Sequence, residues 1–174
     1  AKTQIRWLQG LARDIGLDIH RASSDLRPTA LDDFGLERAL AALMADWGRR
    51  FGITAEFQAV GIDQRLSPEI ETAVYRAVQE ALTNVLKHAH ATQVSVVLER
   101  RGRELRVVVE DDGRGFDPDD LASTGPLIEA PLGLSGIRER LALVNGRLRI
   151  ESTPGGGTSL FMQLPLPAGT EDHG

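Results

Sequence analysis

Cysteine is absent from the 174 residues. That excludes disulfides, a thiolate metal site and a cysteine nucleophile, and it suits a reducing cytoplasm without requiring one. Long hydrophobic runs are also missing: nothing approaches the roughly 18 to 20 consecutive apolar residues of a membrane-spanning helix. The first residues, Ala1-Lys2-Thr3-Gln4, carry neither a signal h-region nor an initiator Met. Basic charge is not in excess, since 20 Lys and Arg stand against 25 Asp and Glu for a net charge of −5. No global field is therefore available to hold a nucleic-acid backbone, and none is expected as a partner. Internal repeats and low-complexity tracts are lacking as well. Glycine, by contrast, is plentiful at 18 residues, well above the usual share of about 7%, which directs attention to loops.

At this length the chain can bury a substantial core as one domain with an appended helix. Ile5, Leu8, Ala12, Ile15, Ile19, Ala22 and Leu26 follow one another at alternating spacings of 3 and 4 until Arg27-Pro28 stops the pattern. Three heptads of an a/d seam predict a helix in a bundle or dimer, with packing on its own domain's core as the alternative. Gly10 and Gly16 each cost such a helix about 1 kcal/mol relative to Ala, so the seam needs a partner.

Thr29 to Gly35 reads as a connector, and Leu36 to Arg50 as a helix with Leu36, Leu40, Leu43, Met44 and Trp47 on one face. Ile53 to Val60 alternates as a strand. Ser67-Pro68, a cap followed by Pro at the first helical position, opens a helix reaching about Ala89. Strands are expected over Gln93–Glu99 and Leu105–Glu110, separated by the charged turn Arg100–Arg103, with the second, mostly apolar strand central in a sheet. Phe116 to Leu132 has no periodicity and reads as a long loop of the length that is usually functional or disordered. Gly133–Val144 is expected to be helical, Asn145-Gly146 a turn, and Arg147–Ser152 and Thr158–Leu164 the last two strands. Residues 168–174 are expected to form a flexible tail.

Chemistry concentrates in four places. On the Ser67 helix, Glu80, Asn84 and His88 recur every four residues with Lys87 adjacent. The stripe is either a solvated face or a site, because a carboxamide oxygen suits Mg²⁺ and an ammonium suits phosphate. Asp111-Asp112-Gly113-Arg114-Gly115-Phe116 follows the apolar strand. It is either a tight turn or a place where a carboxylate accepts from an exocyclic amine while glycines let a flat ring approach. Gly133-Leu134-Ser135-Gly136 either turns the chain or exposes N–H groups of a helix N-terminus to an anion. Gly155-Gly156-Gly157-Thr158 on its own is a flexible hairpin loop.

In this order the four segments resemble the GHKL ATPases, the group of gyrase, Hsp90, histidine kinases and MutL. Glu80 to Asn84 with Lys87-His88-Ala89 looks like the N box, Asp111 to Phe116 the G1 box, Gly133 to Gly136 the G2 box, and Gly155 to Thr158 the closing G-G-T element. The resemblance covers Leu36 to Leu164 and is nearest to sensor histidine kinases of the nitrate/nitrite sensor and DesK type. Leu26-Arg27-Pro28 through Gly35-Leu36 resembles their linker, and the lid between Phe116 and Leu132 lacks a clear F box.

What the resemblance implies is an α/β fold, a two-layer α/β sandwich of the Bergerat type, preceded by a long helix from a dimerisation hairpin. Residues 1–30 would be the second hairpin helix plus linker, and residues 31–167 the ATP-binding catalytic domain. Asn84 would ligate Mg²⁺ bridging the ATP phosphates. Asp111 would bind the adenine amino group, Gly113 and Gly115 would line the base pocket, and Thr158 would support adenine recognition through water. Lys87 and His88 would lie near the phosphates, and backbone groups of Gly133, Leu134, Ser135 and Gly136 would hold the triphosphate. Glu80 would have a supporting catalytic role.

One departure concerns the phosphoacceptor. The family carries an acceptor His on the first hairpin helix, followed at once by Asp or Glu. Here His20 is followed by Arg21, His88 belongs to the N box, and neither His90 nor His173 has that context. The expectation is a piece of a longer kinase, which would transfer the γ-phosphoryl of ATP to a histidine outside the piece for relay to an Asp of a cognate response regulator. The parent would be a homodimer with a cytoplasmic kinase region, with or without a membrane anchor. Two alternatives are a serine kinase of the anti-sigma-factor type, which gives no reason for the heptad helix, and a nucleotide-binding regulatory or dimerisation module without phosphotransfer.

Overall fold

The computed structural model describes residues 28–118 and 132–167. The heptad segment, most of the loop after Phe116, the tail, His20 and His173 lie outside them.

The first element, α1 (Thr29–Phe51), includes the expected connector. Thr29 to Phe34 is already helical, and the interruption falls at Gly35, whose φ of 78° and ψ of 175° leave the helical region. A glycine reaches that conformation without the Cβ clash that would oppose it elsewhere. The break frees carbonyls one turn upstream, and Arg65 takes them, donating from Nη2 to the Leu31 oxygen at 2.7 Å and from Nη1 to the Asp32 oxygen at 3.3 Å. The same guanidinium is forked onto Glu71, at 2.9 Å from Nε to Oε1 and 3.1 Å from Nη2 to Oε2. Glu71 is 1% exposed; a carboxylate that deep requires such a planar partner. Gly52 closes α1 in the left-handed region, its N–H bonded to the Gly48 oxygen at 2.9 Å.

After β1 (Thr54–Val60) comes α2 (Pro68–Asn84), capped as the sequence predicts by the Ser67 hydroxyl, which accepts from the Ile70 N–H. The helix does reach Ala89, but its last five residues, Val85–Ala89, are wound as a π-turn. The strands β2 (Gln93–Arg101) and β3 (Glu104–Asp111) are longer than their expected spans. Arg101 pairs with Glu104, so the turn is a two-residue hairpin, Gly102-Arg103, with Gly102 at φ 58°. The last elements are α3 (Leu132–Ala142), β4 (Arg147–Ser152) and β5 (Thr158–Pro165). Asn145 at φ 57° and the Gly146 N–H bond to the Leu141 oxygen make the turn that follows α3.

The sheet order is β1-β2-β3-β5-β4, with β1 and β2 parallel and the other pairs antiparallel. β3 is the middle strand, as its apolar run predicts. Val94, Val96 and Leu98 of β2, Leu105, Val107 and Val109 of β3, and Leu160, Met162 and Leu164 of β5 alternate inward and are buried. They meet Leu36, Leu40 and Met44 of α1, Val74, Val78 and Leu82 of α2, and Ile137 and Leu141 of α3 in one cluster. Helices on one face of this mostly antiparallel sheet, and an opposite face that is mostly polar, give the two-layer α/β sandwich. The middle strand thus ends, at Asp111, beside the end of α2.

Candidate functional site

Each of the four chemical segments is placed by an element that ends at the same corner. The C-terminus of β3 delivers Asp111, the end of α2 delivers Glu80, Asn84, Lys87 and His88, the start of α3 delivers Gly133 to Gly136, and the β4–β5 hairpin delivers Gly155 to Thr158.

Asp111 stands opposite Thr158 in the β3–β5 register. Its Oδ1 accepts from the Gly113 N–H at 2.8 Å. Burial raises the carboxyl above the usual carboxylate range. The backbone of Gly113 pulls it back, the charge of Asp112 raises it further, and the backbone of Thr158 lowers it. A half-buried acid aimed into a corner of small residues is suited to accepting a hydrogen bond from a neutral amine.

The glycines are there because nothing larger fits. A Cβ on Gly113 would lie 2.5 Å from the Ala89 oxygen and 2.7 Å from the Asp111 carboxylate. On Gly115, at φ 59°, it would collide with the Thr153 oxygen. Backbone bonds complete the weld, from the Arg114 N–H to Ala89 O at 2.7 Å and from the Gly155 N–H to Arg114 O at 2.6 Å. The G1 segment is therefore clamped between the end of α2 and the G-G-T loop.

Gly133 is buried against the N-box stripe: a Cβ there would lie 2.5 Å from Asn84 Nδ2, and 2.6 Å from Asn84 Oδ1 and Glu80 Oε1. Asn84 Nδ2 is itself buried without a hydrogen-bond partner among the described residues. An orphaned carboxamide end at the start of a helix fits a ligand that brings phosphate oxygens and a hard cation, because half a turn about the amide presents the oxygen instead. No group of three His, Cys, Asp or Glu able to hold a metal occurs among the described residues. The donor there that could hold a hard cation is the Asn84 carboxamide oxygen.

Lys87 and His88 are solvent-facing on the π-turn. The α-helical spacing that aligns His88 with Glu80 and Asn84 does not hold at this last step, because the wider turn rotates the residues beyond Asn84. π-turns are frequent at functional sites. The imidazole is pushed below the ordinary histidine value by partial burial, then by the charges of Lys87 and Arg114. In α3, Leu134 is buried in the core, so only its backbone is available to a ligand, while Ser135 is exposed and Gly136 partly exposed.

Three residues of the corner carried no sequence signal of a role. Ser152 Oγ donates to Gly157 O at 2.8 Å, accepts from the Phe116 N–H at 2.9 Å and lies 3.1 Å from Thr158 Oγ1. Asp112 faces away from Asp111 onto the start of β2, and the charge of Arg114 acts on His88.

Residues 69–168 match the family described as histidine kinase-, DNA gyrase B- and HSP90-like ATPases. Over 166 residues the chain is 34% identical to the signal transduction histidine-protein kinase/phosphatase DegS of Brevibacillus brevis, covering 95% of this chain and 42% of that protein. It is 37% identical over 160 residues to the oxygen sensor histidine kinase NreB of Staphylococcus carnosus, covering 91% and 44%. The chain thus spans less than half the length of these curated relatives. Among solved structures, the histidine kinase domain of the Erythrobacter litoralis EL346 blue-light activated histidine kinase superposes with a TM-score of 0.58 at 29% identity, covering 75% of this chain and 61% of that one. The catalytic domain of histidine kinase ThkA shares the fold, with a TM-score of 0.53 at 20% identity over 75% of this chain and 90% of that one.

Proposed function

Because the chain belongs to the histidine kinase-, DNA gyrase B- and HSP90-like ATPase family, we propose that it is the ATP-binding kinase domain of a two-component sensor histidine kinase. The γ-phosphoryl of ATP goes to a histidine outside this chain and then to a response-regulator Asp. The observation that carries the reading is the seating of Gly133 against Asn84 and Glu80, which joins a helix N-terminus to a carboxamide–carboxylate stripe beside the Asp111 corner.

In this reading Asp111 accepts from the adenine amino group, Gly113 and Gly115 admit the ring, and Thr158, facing Asp111 across the sheet, supports the base through water. Asn84 holds Mg²⁺ together with the phosphates. The ion, when bound, neutralises charge on the transferring phosphoryl oxygens. Backbone N–H groups of Gly133 to Gly136 bind phosphate at the positive end of α3. Lys87 adds a cation on the open side and His88 a ring near the ribose and phosphates. Glu80 orients the attacking group, and most of the catalysis is positioning and charge neutralisation.

Residues 1–30 act as the second dimerisation helix and linker of a homodimeric parent with a cytoplasmic kinase region. Among the described residues no helix is long and apolar enough to cross a membrane. The kinase names of the two curated relatives favour this reading over a serine kinase of the anti-sigma-factor type. The test is transfer from γ-labelled ATP to the full-length parent. Acid-labile, base-stable label on a histidine is expected; acid-stable label on serine overturns it.

A further inference from the structure

Asp112 is exposed, yet its carboxylate makes three hydrogen bonds. Oδ1 accepts from the Thr92 N–H and the Gln93 N–H, both at 2.8 Å, and Oδ2 accepts from Thr92 Oγ1 at 2.5 Å. The Asp112 N–H in turn donates to Gln93 O at 3.3 Å. These bonds, the Thr92 hydroxyl first, hold the carboxyl below the ordinary carboxylate range despite a small opposing burial effect. The residues it grips follow the π-turn that carries Lys87 and His88, separated from it by His90, at a left-handed φ of 53°, and Ala91. Two stretches, 112–114 and 89–93, are therefore laced together: Asp112 to Thr92 and Gln93 at one end, Arg114 N–H to Ala89 O at the other.

We propose that Asp112 is a positioning residue, a latch that fixes the phosphate-side turn (Lys87, His88) relative to the base-side carboxylate Asp111. The two neighbouring acids divide the labour. Asp111 points into the corner and meets the ligand; Asp112 points out and sets the spacing between the two halves of the site. Without the latch, Thr92 and Gln93 lose an acceptor that water replaces only loosely. The π-turn, already the less regular end of its helix, then shifts against the G1 segment. Base recognition by Asp111 and Gly113 survives, because the Gly113 N–H bond and the β3–β5 pairing do not involve Asp112. The coupling of base to phosphates is what weakens.

The inference rests on the nucleotide reading above. Its test is the ratio of affinities for Mg²⁺ with a non-hydrolysable ATP analogue and for adenosine alone, measured on wild type, Asp112→Ala, Asp112→Asn and Thr92→Val. For Asp112→Ala the analogue is expected to weaken about tenfold with adenosine little changed. Asp112→Asn keeps an acceptor oxygen for both N–H groups, and its amide can donate to Thr92 Oγ1, so it restores the ratio to within about twofold. Thr92→Val gives a smaller loss, and in the double variant with Asp112→Ala the two losses do not add, as expected for partners in one network. Equal losses of both ligands, or failure of Asn to rescue, overturn the latch in favour of a merely stabilising residue. If wild type binds neither ligand, the nucleotide reading itself fails.

Discussion

Gly133 lies so close to Asn84 that a Cβ on it would stand 2.5 Å from the carboxamide nitrogen. The start of α3 and the end of α2 are thus in direct contact, and a methyl group there makes the ends of the Asn84 and Glu80 side chains turn aside. Gly133→Ala is expected to change stability by about 1 kcal/mol or less, because the atoms in the way are side-chain ends that can turn aside and alanine favours the helix. It should also reduce affinity for an ATP analogue more than tenfold, roughly what an ångström-scale displacement can do. Urea unfolding and calorimetry on the same variant separate the two effects. A variant that binds as wild type does would show that Asn84 and the G2 segment need not meet.

The Arg65–Glu71 fork makes a prediction about stability alone. Arg65→Ala removes the guanidinium from a carboxylate that is 1% exposed and from the carbonyls of Leu31 and Asp32. Breaking one side of a buried pair costs about 3 to 5 kcal/mol. With the Arg65 side chain 53% exposed, water relaxes part of the penalty, and about 2 to 3 kcal/mol is expected. The midpoint of urea unfolding reads this directly, and nucleotide affinity should change little because the fork ties the start of α1 to the start of α2, the end of that helix opposite Asn84.

Much of this was legible in advance, for reasons that individual residues make plain. The alternation Val94, Val96, Leu98 against Leu105, Val107, Val109 can only be satisfied by a sheet with one dry face, and Ser67-Pro68 can only open a helix. The four chemical segments stood out because each needs residue types that packing alone would not select. What could not be read was conformation set by tertiary partners. Thr29 to Phe34 is helical because Arg65, more than thirty residues away, caps the carbonyls freed at Gly35. The π-turn after Asn84 looks like ordinary helix in sequence. Ser152 and Asp112 act through hydrogen bonds to backbone groups brought close by strand register, and register has no signature at a single serine or aspartate. The helix implied by the heptads of Ile5 to Leu26 lies outside the described residues.

Ser152 should then behave as a hinge pin of the G-G-T loop. Ser152→Ala leaves the Gly157 carbonyl and the Phe116 N–H without the hydroxyl that joins them. A loss of about 1 to 2 kcal/mol in unfolding free energy is expected. The accompanying fall in nucleotide affinity should be smaller than that for Gly133→Ala. An unchanged unfolding midpoint would contradict the role.

Asp111 carries the pH dependence. Its carboxyl is raised in the folded chain, chiefly by burial, so folding takes up a proton between the unfolded and folded values. The ionised group therefore costs stability at neutral pH, and the cost disappears as pH falls through the raised value. Asp111→Asn is expected to be at least as stable as wild type at pH 7, with the difference closing on acidification, while losing adenine recognition. Thermal unfolding across pH 4 to 8 checks the sign; a variant less stable at neutral pH and no different in acid would reverse it. Nucleotide affinity of the wild type should fall in the same acid window, as the acceptor carboxylate becomes protonated.

The central claim is that Asp111 and Asn84 belong to one nucleotide site. Calorimetry of a non-hydrolysable ATP analogue, with and without Mg²⁺, on wild type, Asp111→Ala and Asn84→Ala tests it most directly. The account predicts Mg²⁺-dependent binding to wild type, none to Asp111→Ala, and binding to Asn84→Ala that no longer responds to Mg²⁺. A folded wild type that does not bind, or variants that bind as it does, would contradict the account.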